Sequence, residues 1–142
     1  MSDAQTIQFE LVSPEEKLVS EPVRMVVIPG EEGEMGIGAQ HASIVASLKP
    51  GVVALYKDGM DKVSRKIFIT GGFADVTGAN CTVLAEEAID VAKLDTAKLE
   101  QDLRNLDEDL KLAKDAGEVK RIERSILMTK AKISAVSGKI AA

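Results

Sequence analysis

The chain contains no tryptophan, one tyrosine, one histidine and one cysteine, and each shortage removes a class of function. With His41 and Cys81 as the sole members of their types, no His-pair site and no Cys-His ligand set can be assembled, so no metal site is assigned. A lone cysteine closes no internal disulfide. Its setting, Asn80-Cys81-Thr82-Val83-Leu84, reads as a strand holding a buried thiol. Aromatic residues make up 3% of the chain and none lies beyond residue 92, so base stacking has no platform there and nucleic-acid binding is disfavoured. No Gly-x-Ser-x-Gly elbow accompanies His41, and no catalytic residue or cofactor is assigned. No apolar run approaches the ~20 residues of a membrane-spanning helix. The start, Met1-Ser2-Asp3-Ala4-Gln5-Thr6, has neither the basic opening nor the apolar core of a signal segment, and a cytosolic protein is expected.

What is present suffices for a fold, since 142 residues with 45% hydrophobic content can bury one ordinary core, or a small core with an appendage. The net charge of -5 is unevenly spread. Residues 1–92 carry 7 Lys/Arg against 14 Asp/Glu, whereas residues 93–142 carry 11 against 9.

The first part is organised around Val26 to Gly51, where glycine, proline and carboxylate crowd between two apolar runs. Gly30, Gly33, Gly36 and Gly38 permit repeated reversals, and the expectation is a structured loop with short strands that displays Glu31, Glu32 and Glu34 at turns. These three carboxylates lack the spacing of a hard-cation site and read as solvated. Before this stretch, Ile7, Phe9 and Leu11 alternate with Gln8, Glu10 and Val12, the period of a strand with one buried face. Lys17 to Ser20 and Val23 to Ile28 read as two strands broken by Glu21-Pro22. After it, Lys49-Pro50-Gly51 suits a tight turn and Asp58-Gly59 signals a hairpin. Gly71-Gly72 and Gly78-Ala79-Asn80 bound the strands Phe73 to Thr77 and Cys81 to Ala85. Short strands at this spacing, with no helical period before residue 90, predict an antiparallel sandwich or barrel.

Past Val91 the period changes. Asp95 can cap a helix from Thr96, along which Leu99, Leu103, Leu106, Leu110 and Ala113 form one stripe. Asp115-Ala116-Gly117 offers a stop, and Val119, Ile122, Ile126, Thr129, Ile133, Val136 and Ile140 repeat the spacing. A link this short predicts an antiparallel helix pair. The fold class is thus α+β: an N-terminal antiparallel β-sandwich over 1–92, then a two-helix hairpin over 93–142. Leu112, Leu127 and Met128 fall off the main seam and want another surface.

Pro29-Gly30-Glu31-Glu32-Gly33-Glu34-Met35-Gly36-Ile37, His41-Ala42 and Leu48-Lys49-Pro50-Gly51 together resemble the signature of the epsilon subunit of bacterial F-type ATP synthases, the counterpart of the mitochondrial delta subunit. The likeness extends through Ile69-Thr70-Gly71-Gly72-Phe73-Ala74 and Thr82-Val83-Leu84-Ala85-Glu86. Members often carry Pro-Gly before the histidine, where Ala39-Gln40 stands here. The resemblance implies a non-catalytic rotor subunit that links the gamma subunit to the c-ring for proton-driven ATP synthesis, peripheral to the cytoplasmic face of the bacterial inner membrane. It further implies that His41 packs against gamma and that Glu34 meets the polar loops of the c-ring. The second helix carries Lys120, Arg121, Arg124, Lys130, Lys132 and Lys139 against Glu118 and Glu123, and in the family's regulatory pose this charge faces an acidic loop of the α/β subunits. Read without the family, the same charges are a solvated face.

Some family members hold ATP through an Ile/Leu-Asp-x-x-Arg-Ala motif. Here Leu94 and Asp95 match, but Lys98 replaces the arginine and Leu99 the alanine, which predicts weak or no ATP binding and makes Asp95 a helix cap. The alternative functional reading is a small ligand-binding β-sandwich with a helical adaptor tail.

Overall fold

The computed structural model describes residues 5–59 and 62–137. The chain divides into two compact units, one ending at Asp90 and the other beginning at Val91.

The first unit is built from ten strands: β1 Ile7–Val12, β2 Lys17–Val23, β3 Met25–Gly30, β4 Gly33–Gly38, β5 Ile44–Leu48, β6 Gly51–Tyr56, β7 Arg65–Ile69, β8 Gly72–Val76, β9 Asn80–Ala85 and β10 Ala88–Asp90. They hydrogen-bond in the order β10-β7-β6-β3-β5-β8-β9-β1-β2, with β4 on the free side of β3. The single pairing Gly30 to Leu48 is where β3 meets β5, and around it the strands fold into two facing layers, as the sandwich expectation requires. The period-two pattern explains the core. Ile7, Phe9, Leu11, Val26, Ile28, Val53, Leu55, Ile67, Ile69, Val76, Cys81 and Val83 all turn inward and are buried. Each large side chain so buried contributes roughly 1.5–3 kcal/mol against the entropy of ordering the chain. Among the described residues no polar or charged side chain is buried.

Several local expectations are corrected. Glu21-Pro22 does not interrupt a strand: β2 runs through it, with Pro22 opposite Gln8. β2 ends the strand order and pairs only with β1, so a residue without an N–H is tolerated where no further neighbour waits for a donor. The glycine-rich stretch reverses more simply than expected, because β3 and β4 form a regular hairpin about Glu31-Glu32, registered from Met25–Gly38 to Gly30–Gly33. Of its glycines only Gly33 has a positive φ, 139°. The tight turn expected at Lys49-Pro50-Gly51 is present between β5 and β6. β5 pairs with β8, β6 with β3 and β7, so this turn carries the chain from one layer to the other. The hairpin signalled by Asp58-Gly59 is present, β6 pairing antiparallel with β7, but its connection is longer than a two-residue turn, and in it Ser64 N–H donates to Leu55 C=O at 2.7 Å and Ser64 Oγ accepts from Lys57 N–H at 2.9 Å. One pairing is parallel: β1 lies beside β9, Phe9 opposite Cys81, and most of the sandwich itself is the crossover connection between them.

The second unit opens with a 3-10 turn, Val91–Lys93, followed by α1, Thr96–Leu112, and α2, Ala116–Ser137. Seventeen and twenty-two residues give lengths of about 25 and 33 Å. Asp95 caps α1 as expected, its Oδ1 accepting Ala97 N–H at 3.0 Å and Lys98 N–H at 3.3 Å. The expected stop at 115–117 is instead a start. α1 ends when Ala113 turns extended, and Asp115 Oδ1 caps α2 through Glu118 N–H at 2.8 Å, while Glu118 Oε1 returns to Lys114 N–H at 3.0 Å. This reciprocal arrangement accommodates Gly117 within the first turn of α2. Leu99, Ile122 and Ile126 are buried along the seam, with Leu103, Leu106, Val119 and Ile133 half-buried. Leu112 and Leu127, off the seam, are 74% and 67% exposed. Lys139 and Ile140 lie outside the described residues.

Candidate partner-docking surfaces

Glu34 and His41 flank the same strand but do not share a site. Glu34 is exposed near the start of β4, opposite Pro29. His41 is half-buried in the loop 39–43 that follows the other end. Four residues of extended chain from Glu34 to Gly38 already separate them by roughly 13 Å. His41 Nδ1 donates to the Ala42 carbonyl at 2.8 Å, which leaves Nε2 as the ring atom available to a partner. The loop is tied to the β8–β9 turn by Gln40 N–H, which donates to Gly78 C=O at 2.8 Å.

The layer beside this loop carries a feature that sequence reasoning missed. On its outer face Val45 is 74% exposed, Phe73 56% and Leu84 50%. Phe73 stands opposite Leu84 across β8 and β9 and opposite Ser47 on β5, and Leu84 stands opposite Val12 on β1. Phe73, Leu84 and Val12 thus form an apolar row across β8, β9 and β1 on the side away from the core, whose members Ala74, Val76, Val83 and Ala85 alternate with it, while Val45 stands apart on the same face, opposite Asp75. The signal was available: Phe73 and Leu84 are out of phase with the buried residues of their own strands.

On α2, Lys120, Arg121 and Arg124 are all exposed. At 100° per residue they span about 100° of the helix surface, and the arc is centred opposite Ile122 and Ile126. Arg121 lies 4.0 Å from Glu118, and at this exposure the ion pair contributes little to stability. A cleft of about 370 Å³ opens near the bend of the hairpin, between Leu106, Asp109 and Leu112 of α1 and Glu118, Arg121, Ile122 and Ser125 of α2. Asp95 and Lys98 sit one turn apart at the head of α1, with one carboxylate oxygen of Asp95 committed to the cap. Among the described residues no group of three His, Cys, Asp or Glu side chains converges as a metal site would require. Cys81 is buried, its thiol pushed up to about 11 by desolvation and secondarily by the charge of Asp75, so it stays protonated at neutral pH.

The sandwich followed by two helices has counterparts among known proteins. Residues 6–91 match the family described as ATP synthase, delta/epsilon chain, beta-sandwich domain. Over nearly the whole chain the likeness narrows to one kind of subunit. An ATP synthase epsilon chain of Rhodospirillum centenum is 44% identical, covering 94% of each chain, and one of Rhodospirillum rubrum is 43% identical, covering 95% of this chain and 99% of that one. The chain belongs to the ATP synthase delta/epsilon family. In three dimensions it resembles a chain in a cryo-EM structure of the Euglena gracilis mitochondrial ATP synthase with OSCP, F1 and c-ring, at a TM-score of 0.81 and 28% identity, covering 94% of this chain and 82% of that chain. A chain from the Tetrahymena thermophila mitochondrial enzyme shares the fold at a TM-score of 0.62 and 11% identity, covering 95% of this chain and 99% of that one. Among the described residues no helix is long and apolar enough to cross a membrane.

Proposed function

We propose that this chain is a non-catalytic coupling subunit of the central stalk, held at the cytoplasmic face of the bacterial inner membrane by its partners. The observation that carries the reading is the outer pair Phe73 and Leu84, directly opposite each other across β8 and β9, with Val45 exposed on the same face of β5. Aromatic and aliphatic side chains left in water on a rigid sheet are the anchors of a protein interface. The gamma subunit is the occupant, with His41 Nε2 at the edge of the same contact. Glu34, at the opposite end of β4, then meets the polar loops of the c-ring, and the close-packed sandwich between these contacts resists twisting as the rotor turns. The basic arc of Lys120, Arg121 and Arg124 is directed at acidic surface on the α/β subunits, by Coulomb attraction that salt screens. The sandwich, 1–92, and the hairpin, 93–142, act as separate domains in this reading. Support against a ligand-binding sandwich comes from the core, where the described residues leave no buried polar group to orient a small molecule.

The test is co-purification and its disruption. Tagged wild-type protein is expected to retrieve gamma, α and β in fixed stoichiometry. Phe73→Ser, which alters a 56% exposed side chain, should keep its melting temperature while losing gamma by about tenfold or more in affinity. Retention of gamma at wild-type affinity would remove the apolar row from the interface.

A further inference from the structure

Gln40 is, among the described residues, the one non-glycine with a positive φ, 63°. For an L-residue that conformation carries a penalty that glycine escapes, so an unbranched glutamine there calls for a reason. The backbone gives only half of one. The N–H of Gln40 donates to Gly78 C=O at 2.8 Å and fastens loop 39–43 to the β8–β9 turn, but glycine would make the same bond. The side chain returns nothing to the fold. It is exposed, and among the described residues its amide has no hydrogen-bond partner. Strain retained without a structural return marks a position whose side chain is used elsewhere.

Its surroundings indicate where. His41 follows directly, with Nδ1 engaged by the Ala42 carbonyl and Nε2 left over, and Ala42 and Ser43 are exposed. Val45, exposed on the same face as Phe73 and Leu84, is two residues beyond Ser43. We infer that Gln40 is a specificity-determining contact at the rim of the proposed gamma interface, where its amide both donates to and accepts from an uncharged peptide or amide group of gamma. The inference rests on the docking reading above. A carboxamide satisfies a peptide group on both sides, which neither a carboxylate nor an ammonium does. The positive φ aims the side chain, and the Gly78 bond fixes the base from which it projects. A polar rim beside an apolar centre is the usual arrangement of a protein interface.

The experiment uses the full chain and purified gamma subunit from the same organism, comparing wild type with Gln40→Gly, Gln40→Ala and Gln40→Glu. Gln40→Gly should raise the thermal midpoint by about 2 °C through relief of the backbone and yet weaken gamma binding about tenfold. Gln40→Ala, which keeps the strain, should leave the midpoint near wild type and lose the same affinity, so that the binding loss follows the amide and not the backbone. Gln40→Glu keeps the shape but loses the donor and should be no better than alanine. If wild type binds gamma and the glycine and alanine variants bind equally well, Gln40 is no contact and the inference falls while the docking reading stands. If wild type itself does not bind gamma, the docking reading fails and takes this inference with it.

Discussion

Gly72 and Gly33 share a backbone problem but differ in their surroundings, and replacing each by alanine separates dihedral strain from collision. Both have φ in the region that L-residues avoid, +148° and +139°. A Cβ on Gly33 would meet nothing within 4 Å, so Gly33→Ala carries the dihedral cost alone, about 1–3 kcal/mol. A Cβ on Gly72 would collide with the carbonyl oxygen of Leu84 and sit 3.0 Å from Cα of Ala85, both backbone atoms of the paired strand. No rotamer change relieves that contact. Relief requires moving the Leu84 carbonyl out of the β8–β9 ladder, which adds about 1–3 kcal/mol for a displaced and poorly satisfied hydrogen bond. Gly72→Ala should therefore cost roughly 2–6 kcal/mol, a large part of a stability that for a domain of this size lies at about 5–15 kcal/mol. Urea unfolding followed by circular dichroism reads both variants, and the m-value should stay constant while the midpoint falls. Because Leu84 and Phe73 move with the strained ladder, Gly72→Ala should also weaken gamma binding, whereas Gly33→Ala should not. Equal destabilisation by the two substitutions would refute the collision argument.

Further outcomes follow from other sites. Glu34→Lys should change the melting temperature little, because exposed substitutions usually fall within about 0.5 kcal/mol, yet lower proton pumping per ATP hydrolysed in reconstituted vesicles; unaltered pumping would take Glu34 out of the c-ring contact. Asp95→Ala should cost about 1 kcal/mol through loss of the α1 cap, and titration of the wild-type chain with millimolar Mg-ATP should show no micromolar saturable site. A clear micromolar isotherm that disappears in Asp95→Ala would reverse that assignment. Cys81 rises from 9.0 to about 11 on folding, so its contribution is complete below about pH 9 and is lost as pH climbs toward 11. Cys81→Ala should flatten the alkaline fall in unfolding free energy over that window, and an unchanged slope would show that other groups set it. Residues 1–92 expressed alone should keep a cooperative thermal transition with β-type circular dichroism, and a molten product would refute separate domains.

Where residues are governed by their immediate neighbours, sequence and structure agree. The alternation of Ile7, Phe9 and Leu11 required only one buried face, and Asp95 required only the free N–H groups of the next turn. Pro22 shows the limit: whether proline breaks a strand depends on whether its missing donor faces a neighbour, and edge status is a property of the finished sheet. Lys49-Pro50 is a turn in either reading, but its role in joining two layers depends on pairings made far away in sequence. At β7, Ile67, Phe68 and Ile69 are buried in succession, so exposure does not reveal the strand period. Phe73 and Leu84 needed the register of β8 and β9 before two separate apolar residues became one surface, and only the register of β5 shows that Val45, on the same face, stands opposite Asp75. Ala39-Gln40 stood out by type, while the positive φ that gives Gln40 its significance is fixed by the distant carbonyl of Gly78.

The parallel pairing of β1 with β9 has a consequence for how the protein is made. Phe9 cannot find Cys81 until almost the whole sandwich has left the ribosome, and the strand synthesised first is flanked on one side by one of the last. Contacts so distant in sequence slow folding, and domains dominated by them typically fold in milliseconds to seconds. Until β9 is available, one edge of the β1–β2 hairpin is open, with Phe9 and Leu11 lacking half of their final neighbours. Nascent chains of this subunit should therefore be most vulnerable to proteases and aggregation during that interval, before the closed sandwich is ready for assembly.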